Sequence, residues 1–203
     1  MQYFYLILLL PILICAQIPD QNTQIKILYS MEYQKVPFKM RLFKKHLPTE
    51  FLEYHSILGL RNEIELNANM FGEKIINSTI MVISDSLSIS WTKTHTIIND
   101  SVVDNQIVEK KIQPEKNITN KIQIGTNKKI ILGYDCISFS VEDDSTNTEG
   151  FLASEIMGRD EFKNYGLPLE FTTKSKKENL LVVTKAEKIK IEPLDTSMFF
   201  FTK

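Results

Sequence analysis

Short alternating runs of apolar and polar residues, separated by polar turns, are the feature that most constrains this chain. Ile25, Ile27 and Tyr29 alternate with Lys26 and Leu28, and Ile64 and Leu66 alternate with Glu63, Glu65 and Asn67. Further runs cover Ile80 to Ser84, Leu87 to Trp91, and a less regular stretch over Val102, Val103, Ile107 and Val108. A period of two places every second side chain on one face of a strand. After the break at Pro37, Met40 and Leu42 alternate with Arg41 and Phe43, which predicts another strand. In the second half, Lys129 to Leu132 leads through Gly133 into Tyr134 to Val141, and a polar loop from Glu142 to Thr148 connects to Gly150 to Met157. Leu167 to Thr172 turns through Lys174 to Asn179 into Leu180 to Lys185; Ile189 and Ile191 follow, and Phe199 to Phe201 close the chain. Strands joined by short polar turns pair antiparallel by default. The expected class is mainly β, with α+β as the alternative. Residues 48–58 read equally as a helix stopped by Gly59 or as a strand alternating at Leu52, Tyr54 and Ser56.

The amino terminus reads differently. Residues 3–14 are almost wholly apolar and Ala16 precedes Gln17, which fits a secretory signal cut between Ala16 and Gln17. A spanning helix needs about 20 apolar residues. Polar sequence begins here at Gln17, so no transmembrane span is expected once the signal is removed. Cys15 offers lipidation as an alternative, although Ile14 is larger than that processing prefers, and an uncleaved anchor is the third reading. The expected organisation is a signal over residues 1–16 and a single strand-rich domain over 17–203, exported from the cell.

Charge and composition exclude several function classes. Basic and acidic residues number 24 and 25, so bulk electrostatics give no reason to expect a nucleic-acid partner. Only Arg41, Arg61 and Arg159 could supply fork-like phosphate recognition. With the signal gone, Cys136 is the sole cysteine and has no internal disulfide partner; its apolar neighbours predict burial. His46, His55 and His95 lack metal spacing and read as surface or rim residues. The acidic loop from Asp143 to Glu149 alternates oxygen ligands but has Thr148 where a calcium loop needs Gly, so it reads as a hairpin turn. No Gly-x-Ser-x-Gly elbow or phosphate-cradling loop is present. No cofactor, metal or catalytic residue is expected, and an enzyme is the minority expectation.

Residues 128–141 read Lys-Lys-Ile-Ile-Leu-Gly-Tyr-Asp-Cys-Ile-Ser-Phe-Ser-Val, followed by Gly150-Phe-Leu-Ala-Ser-Glu-Ile, Tyr165-Gly-Leu-Pro-Leu-Glu-Phe-Thr, Val183-Thr-Lys-Ala-Glu-Lys-Ile and Asp195-Thr-Ser-Met-Phe-Phe. Over residues 125–201 this order resembles exported Gram-negative envelope proteins of unknown function, the GLPGLI-like families, which are similar to the LolA/LolB fold. Phe151 and Leu152 stand where that pattern usually has Trp, and the turn at 166–170 lacks the second Gly. The resemblance implies a curved antiparallel half-barrel with few helices, in the periplasm or outer envelope. It implies an apolar ligand, such as a lipid or lipoprotein acyl chain. A structural module that binds another envelope protein is the alternative, and an enzyme without a recognisable motif is the third. Gly133, Tyr134, Cys136, Gly166, Leu167 and Pro168 carry the motif. Gly133 is expected at a bulge or bend, and Pro168 at a strand start where a missing N–H is tolerated.

Overall fold

The computed structural model describes residues 22–70, 72–84, 89–111, 122–158, 162 and 164–200. The expected signal, with Cys15, Ala16 and Gln17, lies outside them. Eleven strands form one antiparallel sheet. The first meander comprises β1 (Thr23–Lys35), β2 (Glu50–Ser56), β3 (Gly59–Met70), β4 (Glu73–Ser84), β5 (Ile89–Ile98) and β6 (Ser101–Lys111). The second comprises β7 (Gln123–Ile131), β8 (Tyr134–Glu142), β9 (Thr146–Ala153), β10 (Leu167–Ser175) and β11 (Leu181–Pro193). The order β6-β5-β4-β3-β2-β1-β11-β10-β9-β8-β7 fuses the two meanders along a single seam, β1 against β11. The sheet is curved and unclosed, a half-barrel with few helices, as the sequence leads one to expect.

Connectivity explains the curvature. Flat, an eleven-stranded sheet would hold its outer strands roughly 48 Å apart, at ~4.8 Å per gap. Following the register across the first meander puts Lys111 level with Gln24. The second meander puts Gln123 level with Glu32, through Ser140, Glu149, Thr172 and Val183. That offset adds roughly 26 Å along the strands, at ~3.3 Å per residue. The peptide steps from Lys111 to Gln123 reach at most about 43 Å, less than the resulting diagonal. The sheet has to bend for one connection to join its two edges.

Residues 50–56 settle the open helix-or-strand reading as strand β2. The strand expected at Met40–Phe43 is a correction: Phe38–His46 is a 3-10 helix. Met31 N–H donates to Thr49 O at 2.6 Å, so β1 and β2 already pair on either side of this excursion and leave it no strand partner. Phe38 and Leu42 are more than four-fifths exposed there. The closing segment Thr196–Phe199 is also a 3-10 turn, capped by Asp195 accepting from Ser197 N–H at 3.0 Å. The irregular run in β6 has a simple cause: Thr96 opposes Asp104 while Ile97 opposes Val102, so Val103 is an extra residue at a bulge.

Two apolar clusters flank the sheet. One gathers Ile25, Ile27 and Tyr29 with Leu167, Leu169, Ala153 and Cys136. The other packs Tyr54, Val82 and Trp91 under Phe199, with Arg61 Nη1 donating to Met198 O at 2.7 Å to hold the carboxy-terminal turn in place. Trp91 completes its pairing by donating from Nε1 to Glu109 at 3.2 Å.

Candidate functional site

Three central strands build the floor of a cavity of about 340 Å³. Register sets Tyr29 opposite Phe51, Ile27 opposite Glu53, and Ile25 opposite His55; Glu53 in turn opposes Asn62, and His55 opposes Leu60. Because strand side chains alternate, these residues share one face. Tyr29, Phe51, Glu53, His55, Leu60 and Asn62 line the cavity from this side. Leu167, Pro168 and Phe171 from β10 line it from the other, with Phe162.

Tyr29 links the two sides. Its ring stacks on Phe51 with centroids 4.8 Å apart and meets Phe171 edge-on at 6.3 Å. Its hydroxyl donates to Pro168 O at 2.9 Å. Burial, with the Glu53 carboxylate beside it, pushes that hydroxyl well above the usual tyrosine range. Tyr29 is therefore a neutral donor throughout the physiological range.

Beside it lies a buried polar group. His55 Nε2 sits 3.1 Å from Glu53 Oε2, within ion-pair distance, yet neither ring nitrogen makes a hydrogen bond of adequate geometry. Asn62 Oδ1 is also buried without a partner. A buried polar atom left unpaired costs about 1–3 kcal/mol, so this corner is held against a penalty by the packing around it. His55 corrects the sequence expectation of a surface residue, since it is only 5% exposed. Its place follows from β2 pairing centrally between β1 and β3. Among the described residues, the cavity lining carries no Ser, Thr, Cys or Lys beside His55 and Glu53. The walls suit packing against an apolar group.

The motif residues fall in two places. Leu132 and Gly133, at φ +51° and +88°, form the two-residue turn between the paired residues Ile131 and Tyr134. Where the sequence suggested a bulge or bend, Gly133 therefore completes a tight hairpin. Gly166, Leu167 and Pro168 open β10, where the register with β9 shifts between Pro168 and Glu170. Leu167 and Pro168 line the cavity, whereas Tyr134 and Cys136 pack in the cluster behind it. The Asp143 loop is a hairpin turn whose carboxylate accepts from Ser145 and Thr146 N–H and from the Thr146 hydroxyl. These bonds hold its pKa below the usual carboxylate value.

Cys136 is 2% exposed, and burial pushes its thiol up to about 11. Native protein at pH 8 is expected to react with iodoacetamide at least about a hundred-fold more slowly than protein in 6 M guanidinium, since attack needs both access and thiolate. Mass spectrometry of the alkylated fraction over time measures this, and equal rates would contradict the burial.

Solved structures with a related course of chain include PNGF-II in its P21 crystal form, at 14% identity and TM-score 0.49, covering 87% of this chain and 30% of that one. MucB in complex with MucA(peri) matches at 9% identity and TM-score 0.32, covering 84% of this chain and 51% of that one. A beta-barrel-like protein of domain of unknown function DUF1849 from Brucella abortus matches at 8% identity and TM-score 0.44, covering 85% of this chain and 99% of that one. The chain thus spans 30% of the length of the PNGF-II chain it matches. No family model and no curated protein matches the sequence.

Proposed function

We propose that this is an exported protein of the Gram-negative envelope that binds an apolar ligand, such as a lipid or lipoprotein acyl chain, without catalysing a reaction on it. The observation that carries the reading is the cavity between β1–β3 and β10, walled by Phe51, Leu60, Phe162, Leu167 and Phe171. Its size lies at the lower end of ordinary ligand pockets, about 300–1,000 Å³, and its apolar walls with few polar groups are their usual composition. The apolar leader ending at Ala16 supports export to the periplasm or outer envelope. The motifs around Gly133, Tyr134, Cys136, Gly166, Leu167 and Pro168 support kinship with the GLPGLI-like and LolA-like proteins.

Native mass spectrometry on protein drawn gently from its own envelope tests the proposal. A mass excess that solvent extraction releases as one defined lipid is expected. A bare, homogeneous mass would overturn a tightly held ligand and favour a second reading, a module that binds another envelope protein. That alternative has its own supporting observation in β6, an edge strand with Val102, Val103, Ile107 and Val108 exposed.

A further inference from the structure

The opposite face of the same central strands carries a different chemistry. Where Ile27, Tyr29, Glu53 and His55 point one way, Lys26, Leu28, Leu52 and Tyr54 point the other. Across the seam, Lys26 stands directly opposite Lys190, and Leu28 directly opposite Lys188. The five residues Lys26, Leu28, Leu52, Lys188 and Lys190 line one hollow of about 180 Å³. A second groove, about 400 Å³, shares Leu28 and Leu52 with it and continues over Glu63 to Ile80. Three lysines therefore line one end of a groove whose floor runs Leu28, Leu52, Glu63, Ile80.

Like charges set directly opposite each other across a strand pair are destabilising, and at Lys26 this is partly relieved by Tyr54 and by the Glu192 and Glu63 carboxylates nearby. Glu192 accepts from Gln24 Nε2 at 2.8 Å, and Glu187 from the Ser30 hydroxyl at 2.5 Å. Among the described residues, no carboxylate lies within 4 Å of the Lys188 or Lys190 ammonium. Lys26 is steered over the Tyr54 ring, 5.0 Å from its centroid. Of the three carboxylates that line the groove, Glu50, Glu63 and Glu65, two are engaged: Glu63 takes Arg61 Nε at 2.5 Å and Glu65 takes Asn67 Nδ2 at 2.7 Å. The positive charge of Lys188 and Lys190 thus sits unpaired at one end, while Glu63 and Glu65 further along have partners.

We infer that this groove binds a single-chain anionic amphiphile. Its carboxylate or phosphate head lies among Lys26, Lys188 and Lys190, and its chain runs over Leu28 and Leu52 towards Ile80. This site has only Phe51 in common with the cavity lining and does not rest on the reading of that cavity.

Isothermal titration calorimetry on the whole protein tests it, with laurate, dodecyl phosphate, dodecyltrimethylammonium and inorganic phosphate, each below its micelle concentration. Both anionic amphiphiles are expected to bind at least about ten-fold more tightly than the cationic one, and more weakly as salt rises. Whichever of the two binds more tightly identifies the preferred head. Replacing Lys188→Glu and Lys190→Glu together should weaken anionic binding at least about ten-fold. The Lys188→Gln, Lys190→Gln pair should lose less, in the same direction. Both positions are exposed, so folding should survive, which circular dichroism checks. Equal affinity for the cationic amphiphile, or unchanged affinity in the Glu double variant, overturns the site. Inorganic phosphate binding as tightly as dodecyl phosphate overturns the amphiphile. Phe171→Ala, which alters the cavity and not the groove, should leave this affinity unchanged. A loss there would assign the binding to the cavity and overturn the inference.

Discussion

Tyr29→Ala is expected to lower the unfolding free energy by about 3–5 kcal/mol, the range for removing a fully buried aromatic ring. Tyr29 is 2% exposed, and its ring joins Phe51 on β2 to Phe171 on β10. Truncation removes both ring contacts and also orphans the Pro168 carbonyl that the hydroxyl serves. Tyr29→Phe separates these contributions: it keeps the rings, loses only the hydrogen bond, and should cost about 1–2 kcal/mol. Urea denaturation followed by far-ultraviolet circular dichroism measures both. If the two substitutions cost the same, the aromatic stack is not what fastens β1 to β10. If Tyr29→Ala costs under about 1 kcal/mol, the residue is not part of a packed core.

Gly166→Ala should be comparably damaging for a different reason. Its φ of +126° is open to glycine and strained for a residue with a side chain. An added Cβ would also lie 2.2 Å from Ala153 O, inside the backbone of β9. Strained dihedrals and overpacking each cost about 1–3 kcal/mol, so a loss of about 3 kcal/mol or more is expected. Its particular signature is local: hydrogen exchange should speed first at Leu167 and Leu169, whose strand start would be displaced. The same substitution at Gly133, where a Cβ meets nothing within 4 Å, carries only the dihedral strain of φ +88° and should cost less. Equal losses at the two glycines would mean that the close approach to Ala153 does not matter.

Period-two patterning made most of the strands legible, because a strand with one buried face writes its apolar residues at every second position. It misled at Met40–Phe43, where three or four alternating residues cannot show whether a neighbouring strand exists to pair with them. It blurred at Val102 and Val103, because a bulge shifts the phase by one residue. Gly133 completes a two-residue hairpin where a bulge or bend was expected, while Tyr134 and Cys136 pack in a core cluster and Leu167 and Pro168 line the cavity. The cavity was not legible. Tyr29, Glu53, His55, Asn62 and Phe171 meet only through the registers of four strands, and no fixed spacing in the sequence encodes that meeting. A lone histidine with no second ligand nearby looks the same whether it faces water or a core. The lysine cluster was hidden in the same way, since Lys26 and Lys190 belong to opposite ends of the chain.

The seam between β1 and β11 has a consequence for how the molecule is made. Every other strand pairing joins sequence neighbours, and can close as soon as each hairpin leaves the ribosome or a translocation channel. The seam cannot: β1 precedes every other described strand and its partner, residues 181–193, follows them all. Until then the newborn first meander presents β1 as a raw edge, a template for strand exchange with any other unfinished copy. The thirteenth and last residue of β11, Pro193, meets Thr23 at the start of β1. The sheet is thus sealed by a clasp that closes only when β11 arrives, and a chain lacking that strand leaves the template permanently open.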